Sequence, residues 1–292
     1  MYKYFILFLI LFIASCNNEK YTITDSSARD QFYIIWSHSD IQPRKIKDRE
    51  GYETAVEDIK NNLPKPDIAI VAGDIVHDKN ASADFEWFLK TREKAGIAKW
   101  FEITGNHDMK DYKSYKKYIG KPRFYSYSQG NILFLFMSDE DRHPPTKISD
   151  EAFRWWKKQV IENQDKIIIT TTHGYLKHSG LFLADSVESR TILNSERFEE
   201  VLKQYRVDLW LSGHTHIPST FGFNEHREEK FNNTVFINIS RIRRDFGFNP
   251  ESRIIVLKKN SDIMIIKTRD HHKKEYIKNR EITIQLPIRA QF

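Results

Sequence analysis

Short apolar runs alternate along the chain with stretches of helical periodicity. Five runs rich in β-branched and aromatic residues have the length of buried strands, and each ends shortly before Asp, Asn, Gly or His: residues 32–36, 68–72, 100–104, 167–172 and 207–211. Four stretches place apolar residues on one helical face: residues 52–62, 85–95, 151–162 and 196–205. This repetition of strand, polar loop and helix predicts a layered α/β fold.

Other apolar runs follow each other without an intervening helix. Two such pairs occur, residues 123–127 with 132–137 and residues 254–257 with 264–268. Strands joined by short connections pair antiparallel, so we expect two mixed sheets packed face to face. The length of 292 residues and the apolar fraction of 40% fit one large domain, which we place at residues 31–269. Residues 270–292 are predicted as a C-terminal extension or a peripheral strand.

The chain begins with the layout of a secretory signal. Lys3 precedes an apolar stretch that is too short to span a bilayer and that ends near the only cysteine, Cys16. The tetrapeptide Ile-Ala-Ser-Cys at this point resembles a bacterial lipobox, in which the leader is cut before a lipidated cysteine. We therefore predict a lipoprotein signal peptide at residues 1–16, a flexible tether at 17–30, and an exported protein anchored by its lipid to a bacterial membrane. An ordinary signal peptide with an incidental thiol is the alternative.

The charge balance narrows the range of partners. The 46 basic and 40 acidic residues give a formal net charge of +6, without a concentrated basic arm. This mild excess favours anionic substrates or lipid head groups and does not indicate a nucleic-acid partner.

Polar residues at the ends of the predicted strands carry the candidate chemistry. Loops that follow parallel strands meet at one edge of an α/β sheet, so their side chains are expected to converge there. The residues in question are Asp40, Asp74, Asn106, His107, Asp108, His173, His214 and His216. Carboxylate, amide and imidazole ligands suit Mn, Fe, Zn or a similar cation, and a shared carboxylate would hold two ions about 3.5–4 Å apart. The sequence therefore predicts a site for two divalent metal ions.

Four short motifs occur in a fixed order: Gly73-Asp74, Gly105-Asn106-His107-Asp108, a lone His173 after a strand, and Gly213-His214-Thr215-His216. Together they resemble the calcineurin-like metallophosphoesterases, from about residue 39 to residue 218. The resemblance implies a four-layer α/β/β/α sandwich of two mixed β-sheets. It also implies hydrolysis of a phosphate ester by metal-activated hydroxide.

The resemblance also implies a role for each motif residue. Asp74 is expected to bridge both metals. The second metal would be completed by Asn106, His173 and His214, and the first by Asp40 and His216. His107 resembles a catalytic histidine that binds no metal, with Asp108 fixing its tautomer. Gly73, Gly105 and Gly213 are expected to allow sharp turns that aim the following side chains at the site.

The first motif departs from the family pattern. The family has Asp-x-His where this chain has Asp40-Ile41-Gln42. Either Gln42 ligates through its carbonyl oxygen, or His38 supplies the imidazole from the same strand face, or the site holds one tight and one exchangeable metal.

A second departure is His77, where the family often has an acidic residue. With Asp78 it is predicted to be a supporting or solvent-facing pair. The histidines at 143, 178, 226, 271 and 272 are predicted to lie on the surface.

Two segments are predicted to form the walls that select the substrate, residues 139–149 and 174–194. Candidate contacts within the second are Tyr175, Lys177 and His178. Arg243 or Arg244 is a further candidate, since guanidinium binds phosphate oxygens well.

The substrate is expected to be a small phosphorylated molecule. Phosphodiester cleavage is preferred because the motif arrangement resembles the small bacterial diesterase branch of the family. Phosphomonoester hydrolysis for phosphate scavenging is the first alternative. The second is a non-catalytic lipoprotein binding module whose metal site has decayed, with Gln42 as the first sign.

Overall fold

A computed structural model describes residues 26–78, 81–182, 184, 186–244 and 247–292. The predicted signal peptide with Cys16 and the first part of the predicted tether lie outside these residues. Among the residues described, no helix combines the length and the apolar character needed to cross a bilayer.

Within the described part of the chain, twelve strands form two six-stranded mixed sheets. The strands of the first sheet are β1 Phe32–His38, β2 Ile68–Val71, β3 Lys99–Glu102, β10 Glu251–Lys258, β11 Ile263–Asp270 and β12 Glu275–Gln285. Those of the second sheet are β4 Phe124–Gln129, β5 Ile132–Met137, β6 Ile167–Thr171, β7 Leu209–Ser212, β8 Glu225–Glu228 and β9 Thr234–Asn238. The helices are α1 Glu50–Asn62, α2 Ser82–Glu93, α3 Tyr112–Tyr118, α4 Asp150–Glu162 and α5 Glu196–Leu202.

Three apolar clusters define four layers. One cluster lies between the two sheets and includes Ile35, Ile70, Phe136 and Ile169. A second packs α1, α2 and α3 on the outer face of the first sheet, and a third packs α4 and α5 on the outer face of the second. The predicted α/β/β/α sandwich is confirmed. The central strands are apolar along their whole length because both of their faces are covered.

The central strands of each sheet run parallel. In the first sheet β1, β2 and β3 are parallel neighbours, and in the second β5, β6, β7 and β9 are. The two predicted pairs, β4 with β5 and β10 with β11, are antiparallel, and β1 with β10 and β8 with β9 are antiparallel as well. The carboxyl ends of β1, β2, β3, β6 and β7 carry the motif residues. This topology is what collects residues that are distant in sequence.

Both ends of the described chain pack on the domain. Residues 26–31 form a short 3-10 helix in which the Arg29 guanidinium lies 2.9 Å from Oδ2 of Asp67, so the folded body begins before the predicted end of the tether. At the other end β12 pairs with β11 as an edge strand. The chain then returns to the core, where the ring centroid of Phe292 lies 5.4 Å from that of Tyr33. Residues 270–292 thus include a peripheral strand and belong to the domain.

A buried polar network joins α1 to the C-terminal strands. Both carboxylate oxygens of Asp58 accept hydrogen bonds from Arg269, each 2.8 Å long, and Nδ1 of His271 lies 2.8 Å from Oδ2. Nε2 of His271 is 2.7 Å from Oγ of Ser252. The prediction that His271 lies on the surface is wrong, because paired ionic partners allow a polar segment to turn inward. Burial raises the pKa of Asp58, but the hydrogen bonds from Arg269 and His271 lower it by more and hold this pKa well below its usual range.

We expect Asp58→Ala to lower the free energy of unfolding by about 3–5 kcal/mol, since it leaves the buried Arg269 guanidinium without its counter-ion. Urea unfolding followed by tryptophan fluorescence measures the change. Glu57→Ala, at an exposed position of the same helix, is the control and should shift stability by no more than about 0.5 kcal/mol. Equal stability of the two variants would contradict the role given to the network.

Candidate metal centre

The predicted ligands meet at one edge of the two sheets. The described residues contain two groups whose ligand atoms all lie within 4.8 Å of one another: Asp74 with His173 and His214, and Asp40 with Asp74 and His216. Asp74 belongs to both groups. The structure thus brings together residues from loops after β1, β2, β6 and β7, and it places a carboxylate where the resemblance requires a bridge. We call Asp40, Asp74 and His216 the first group, and Asp74, His173 and His214 the second group.

The loops that present these residues have unusual backbone conformations. Asp40, Asp74, His214 and His216 all have left-handed φ values of 55–68°. Such values are uncommon for residues with a Cβ and are tolerated where the surroundings enforce them. Here the backbone N–H of Asp40 donates to the carbonyl of Gly73 (3.1 Å), and that of His214 donates to Oδ2 of Asp40 (3.0 Å).

The motif glycines serve two different needs. Gly73 has a φ of +89°, in agreement with the predicted sharp turn. Gly105 is required by close approach instead, because a Cβ there would lie 2.3 Å from Oδ1 of Asp74 and 2.7 Å from Nε2 of His173. At Gly213 a Cβ would lie 2.0 Å from Oγ of Ser39. The last two glycines let the loops touch the ligands directly.

The second group fits a divalent cation. Nδ1 of His173 lies 2.8 Å from the carbonyl oxygen of Ala72, which can only accept, so Nδ1 carries a proton. In neutral His173 the Nε2 lone pair therefore faces Oδ2 of Asp74 at 3.3 Å. Two acceptors at this distance are held together by a positive charge between them, which is a proton on Nε2 or a bound cation. The Oδ1 atom of Asn106 is buried without a hydrogen-bond partner, as expected of a ligand atom.

The electrostatics of the second group agree with this requirement. Burial lowers the pKa of His173, but the nearby Asp74 carboxylate has the larger, opposite effect, so this pKa lies well above its usual range. Burial, helped by the charge of His173, lowers the pKa of His214 to about 3, so this ring is neutral at pH 7. Nε2 of His214 lies 2.9 Å from the carbonyl of Ser189, which leaves Nδ1 free to ligate.

In the first group Gln42 lies among the ligands and His38 does not. Nε2 of Gln42 is 2.9 Å from Oδ2 of Asp74. The His38 ring instead stacks on Trp36 with a centroid distance of 4.1 Å, in the cluster beneath α1 and α2. The alternative that His38 supplies the imidazole is therefore wrong. The two-residue period that put it beside Asp40 ends with β1, and Asp40 lies in the left-handed turn beyond.

The Asp108 carboxylate makes no hydrogen bond to the His107 ring, whose Nδ1 lies against the His77 carbonyl instead. One of its oxygens accepts from the backbone N–H groups of Ile75 and Val76, and the other accepts from that of Gly105. The predicted tautomer role is wrong, since this carboxylate instead ties the loop after β2 to the loop after β3. Burial, together with the charge of Asp74, raises the pKa of Asp108 to about 8.

His107 is positioned by other groups. Its backbone N–H donates to Oδ1 of Asp74 (2.8 Å), and its Nδ1 lies 2.8 Å from both the carbonyl oxygen of His77 and Nζ of Lys110. The His77 ring stacks on it with centroids 4.5 Å apart. The prediction missed Lys110, although a spacing of three residues after His107 is the signal that would have found it. His77 is a supporting residue, as one of its two predicted roles required.

The predicted substrate walls border the centre, but their candidate contacts differ. Arg190 donates to the carbonyl of His214 (2.9 Å), so the segment 174–194 lies against the second group. Tyr175 is buried, and His178 pairs with Glu199 of α5 at 3.1 Å. Arg243 is buried and donates to the backbone carbonyl of Gln42 (2.7 Å), whereas Arg244 is exposed. His178 and Arg243 thus have structural partners.

The segment 139–149 lies beside the end of β3. The backbone N–H of Asp139 donates to the carbonyl of Thr104 (2.9 Å), and its Oδ2 accepts from the N–H of Thr146. Burial raises the pKa of Asp139 to about 7.

The four-layer sandwich with Asp, Asn and His residues clustered at its strand ends defines a metal-dependent hydrolase of phosphate esters. The family model of the calcineurin-like phosphoesterases matches residues 34–218, which is more than half of the chain. The chain belongs to this family, and it is a hydrolase that acts on phosphoric ester bonds.

Solved structures share the fold at low sequence identity. A dimetal phosphatase from Danio rerio is 13% identical, with 87% of this chain and 98% of that chain covered and a TM-score of 0.65. The purple acid phosphatase PPD1 from yellow lupin (Lupinus luteus) seeds is 14% identical over 87% and 54% of the two chains, with a TM-score of 0.67. GAP50, described as the anchor in the inner membrane complex of Plasmodium, is 19% identical over 89% and 90%, with a TM-score of 0.60. No curated protein sequence matches.

We expect Asp108→Ala to lower the free energy of unfolding by about 3 kcal/mol or more, because three buried N–H groups lose their acceptor at about 1–3 kcal/mol each. Chemical denaturation measures the loss. Asp78→Ala, whose side chain is 69% exposed, is the control and should change stability little. A stable Asp108→Ala variant with an altered pH dependence of activity would restore the tautomer role.

Proposed function

We propose that this protein is a phosphodiesterase that works with two divalent cations. The observation that carries the proposal is the position of Asp74, which is common to both groups of ligand atoms. The first cation would be held by Asp40, Asp74 and His216, and the second by Asp74, Asn106, His173 and His214. When bound, such a pair of cations supplies Lewis acidity to the phosphoryl oxygens and lowers the pKa of a bound water.

The protein's own residues supply orientation and proton transfer. Asp74 holds His107 through the backbone N–H, and the His77 ring stacks on the imidazole. Nδ1 of His107 lies within hydrogen-bond distance of the His77 carbonyl and of the Lys110 ammonium, and it can donate to the first or accept from the second. A histidine fixed in this way can give a proton to the leaving oxygen. Arg190 and Arg243 take no part in the chemistry in this proposal, because they brace the backbone carbonyls of His214 and Gln42.

One observation favours the monoesterase as a second candidate. The Lys110 ammonium lies 2.8 Å from Nδ1 of His107, and this extra positive charge suits the second negative charge of a monoester dianion. The diester remains the preferred substrate on the arrangement of the motifs.

We expect the chain loaded with Mn²⁺ to hydrolyse bis-p-nitrophenyl phosphate faster than p-nitrophenyl phosphate. Asp74→Ala and His214→Ala should each lower kcat/KM at least about a hundredfold, because a cation is worth several kcal/mol to the transition state. His272→Ala, at an exposed histidine in the turn between β11 and β12, is the control and should retain full activity. Chelation by EDTA should abolish turnover.

Three other outcomes are informative. Exclusive turnover of the monoester would identify a phosphomonoesterase. Hydrolysis that persists in both Asp74→Ala and His214→Ala would contradict the metal centre. A folded chain that hydrolyses neither ester with Mn, Fe or Zn would support the non-catalytic binding module.

We also propose that the mature chain is exported and anchored to a bacterial membrane through a lipid on Cys16. The apolar leader and the Ile-Ala-Ser-Cys tetrapeptide support this proposal.

We expect mass spectrometry of the protein expressed in a bacterium to find an acylated N-terminal Cys16. Cys16→Ser should release the protein into the soluble fraction, whereas Ser15→Ala should stay in the membrane fraction. Retention of an unmodified Cys16 in the chain would contradict the anchor.

A further inference from the structure

The Gln42 amide stands between the ligand atoms of the first group. Its Nε2 lies 2.9 Å from Oδ2 of Asp74, 3.4 Å from Oδ1 of Asp40 and 2.8 Å from Nε2 of His216. An ionised carboxylate can only accept hydrogen bonds, so the amide nitrogen rather than the oxygen must face these atoms. Gln42 is fully buried, and water does not compete for the contacts. The two N–H groups of this neutral amide can therefore occupy two of the three atoms that would ligate a cation, and Nε2 of His216 also lies 3.0 Å from Oδ1 of Asp40.

His77 holds the other end of the amide. Nδ1 of His77 lies 3.0 Å from Oε1 of Gln42, and because this oxygen only accepts, Nδ1 must carry the proton. The His77 ring is fixed in turn by stacking on His107. The buried Arg243 donates to the backbone carbonyl of Gln42 and so holds the main chain at this residue. The side-chain amide itself is held at Nε2 by the ligand atoms of the first group and at Oε1 by His77.

The two groups differ in what a cation would meet. The second group offers Asp74, two imidazoles and the unpaired Oδ1 of Asn106. In the first group the amide must turn over before Oε1 can face a cation. Nε2 would then point at His77, which could accept its hydrogen only after its own proton moved from Nδ1 to Nε2. Binding at the first group therefore requires two linked rearrangements, for a neutral oxygen ligand that replaces an imidazole.

We propose that Gln42, oriented by His77, makes the Asp40–Asp74–His216 group an exchangeable cation site, while the Asp74–Asn106–His173–His214 group holds its cation tightly. This inference rests on the proposed function and adds that the occupancy of the first group follows the free metal concentration. His77 acts as a positioning residue, because it acts on the cation through Gln42.

The test is a titration of the metal-free chain with Mn²⁺. Calorimetry measures the affinity and stoichiometry, and electron paramagnetic resonance detects the bound ions. We expect the wild type to bind one equivalent tightly and a second at least about tenfold more weakly. Gln42→His should bring the two affinities together and produce the coupled dimanganese signal at two equivalents. Gln42→Glu, which places an ionised carboxylate there, should also strengthen the second equivalent and provides a second variant if Gln42→His does not fold.

His77→Phe isolates the positioning role, since it keeps an aromatic ring against His107 but cannot bind Oε1. It should tighten the second equivalent by about tenfold in the Gln42 chain. In the Gln42→His background the same substitution should leave both affinities unchanged. Circular dichroism and urea unfolding establish that each variant is folded.

The inference would be overturned if the wild type bound both Mn²⁺ equivalents with equal affinity and Gln42→His did not change these affinities. The proposed function would still stand if that wild type hydrolysed the diester. An unchanged second affinity in His77→Phe would overturn the role of His77. A folded wild type that binds no Mn²⁺ and hydrolyses no ester would overturn the proposed function and this inference together.

Discussion

The buried negative charge of Asp74 is the constraint on which the site depends. The carboxylate is 1% exposed, and an ionised group at such a position is tolerated only when it is paired and hydrogen-bonded. Oδ1 accepts the His107 N–H, while Oδ2 faces both Nε2 of His173 and Nε2 of Gln42. Burial alone would raise the pKa of Asp74, yet the neighbouring histidines hold it below its usual range. Loops from both sheets converge because this one charge needs several partners.

The convergence of these loops requires strained backbone conformations, and the buried sheets hold the strained turns in place. The strands that precede the left-handed turns at Asp40, Asp74 and His214 are buried along their length. Strained turns persist where rigid surroundings determine them, and such turns concentrate at functional sites. Gly105 and Gly213 complete the arrangement by allowing backbone to lie against the ligands with no Cβ between.

Much of this architecture could be predicted from the sequence, because the buried parallel strands β1, β2, β3, β5, β6 and β7 are continuous apolar runs. The strand β8 could not, since Glu225–Glu228 is a polar edge strand without a readable alternation, and neither could the short helix α3. Within the site, the residue types and their order predicted which side chains meet. The partner of each side chain was harder to predict. Asp108 is sequence-adjacent to His107 but binds backbone groups, and His271 lies in a charged segment yet is buried by pairing with Asp58.

The strands that follow the family motifs are needed to complete both sheets. The matched segment ends at residue 218, but three of the six strands of the first sheet, β10, β11 and β12, and two of the second, β8 and β9, come later in the chain. Without them β1 would become an unpaired edge beside the loop that carries Asp40, and α1 would keep Asp58 without Arg269. The motif-bearing segment is thus not a self-sufficient module, and any excised fragment ending there would lack the lateral support that its own ligand loops require.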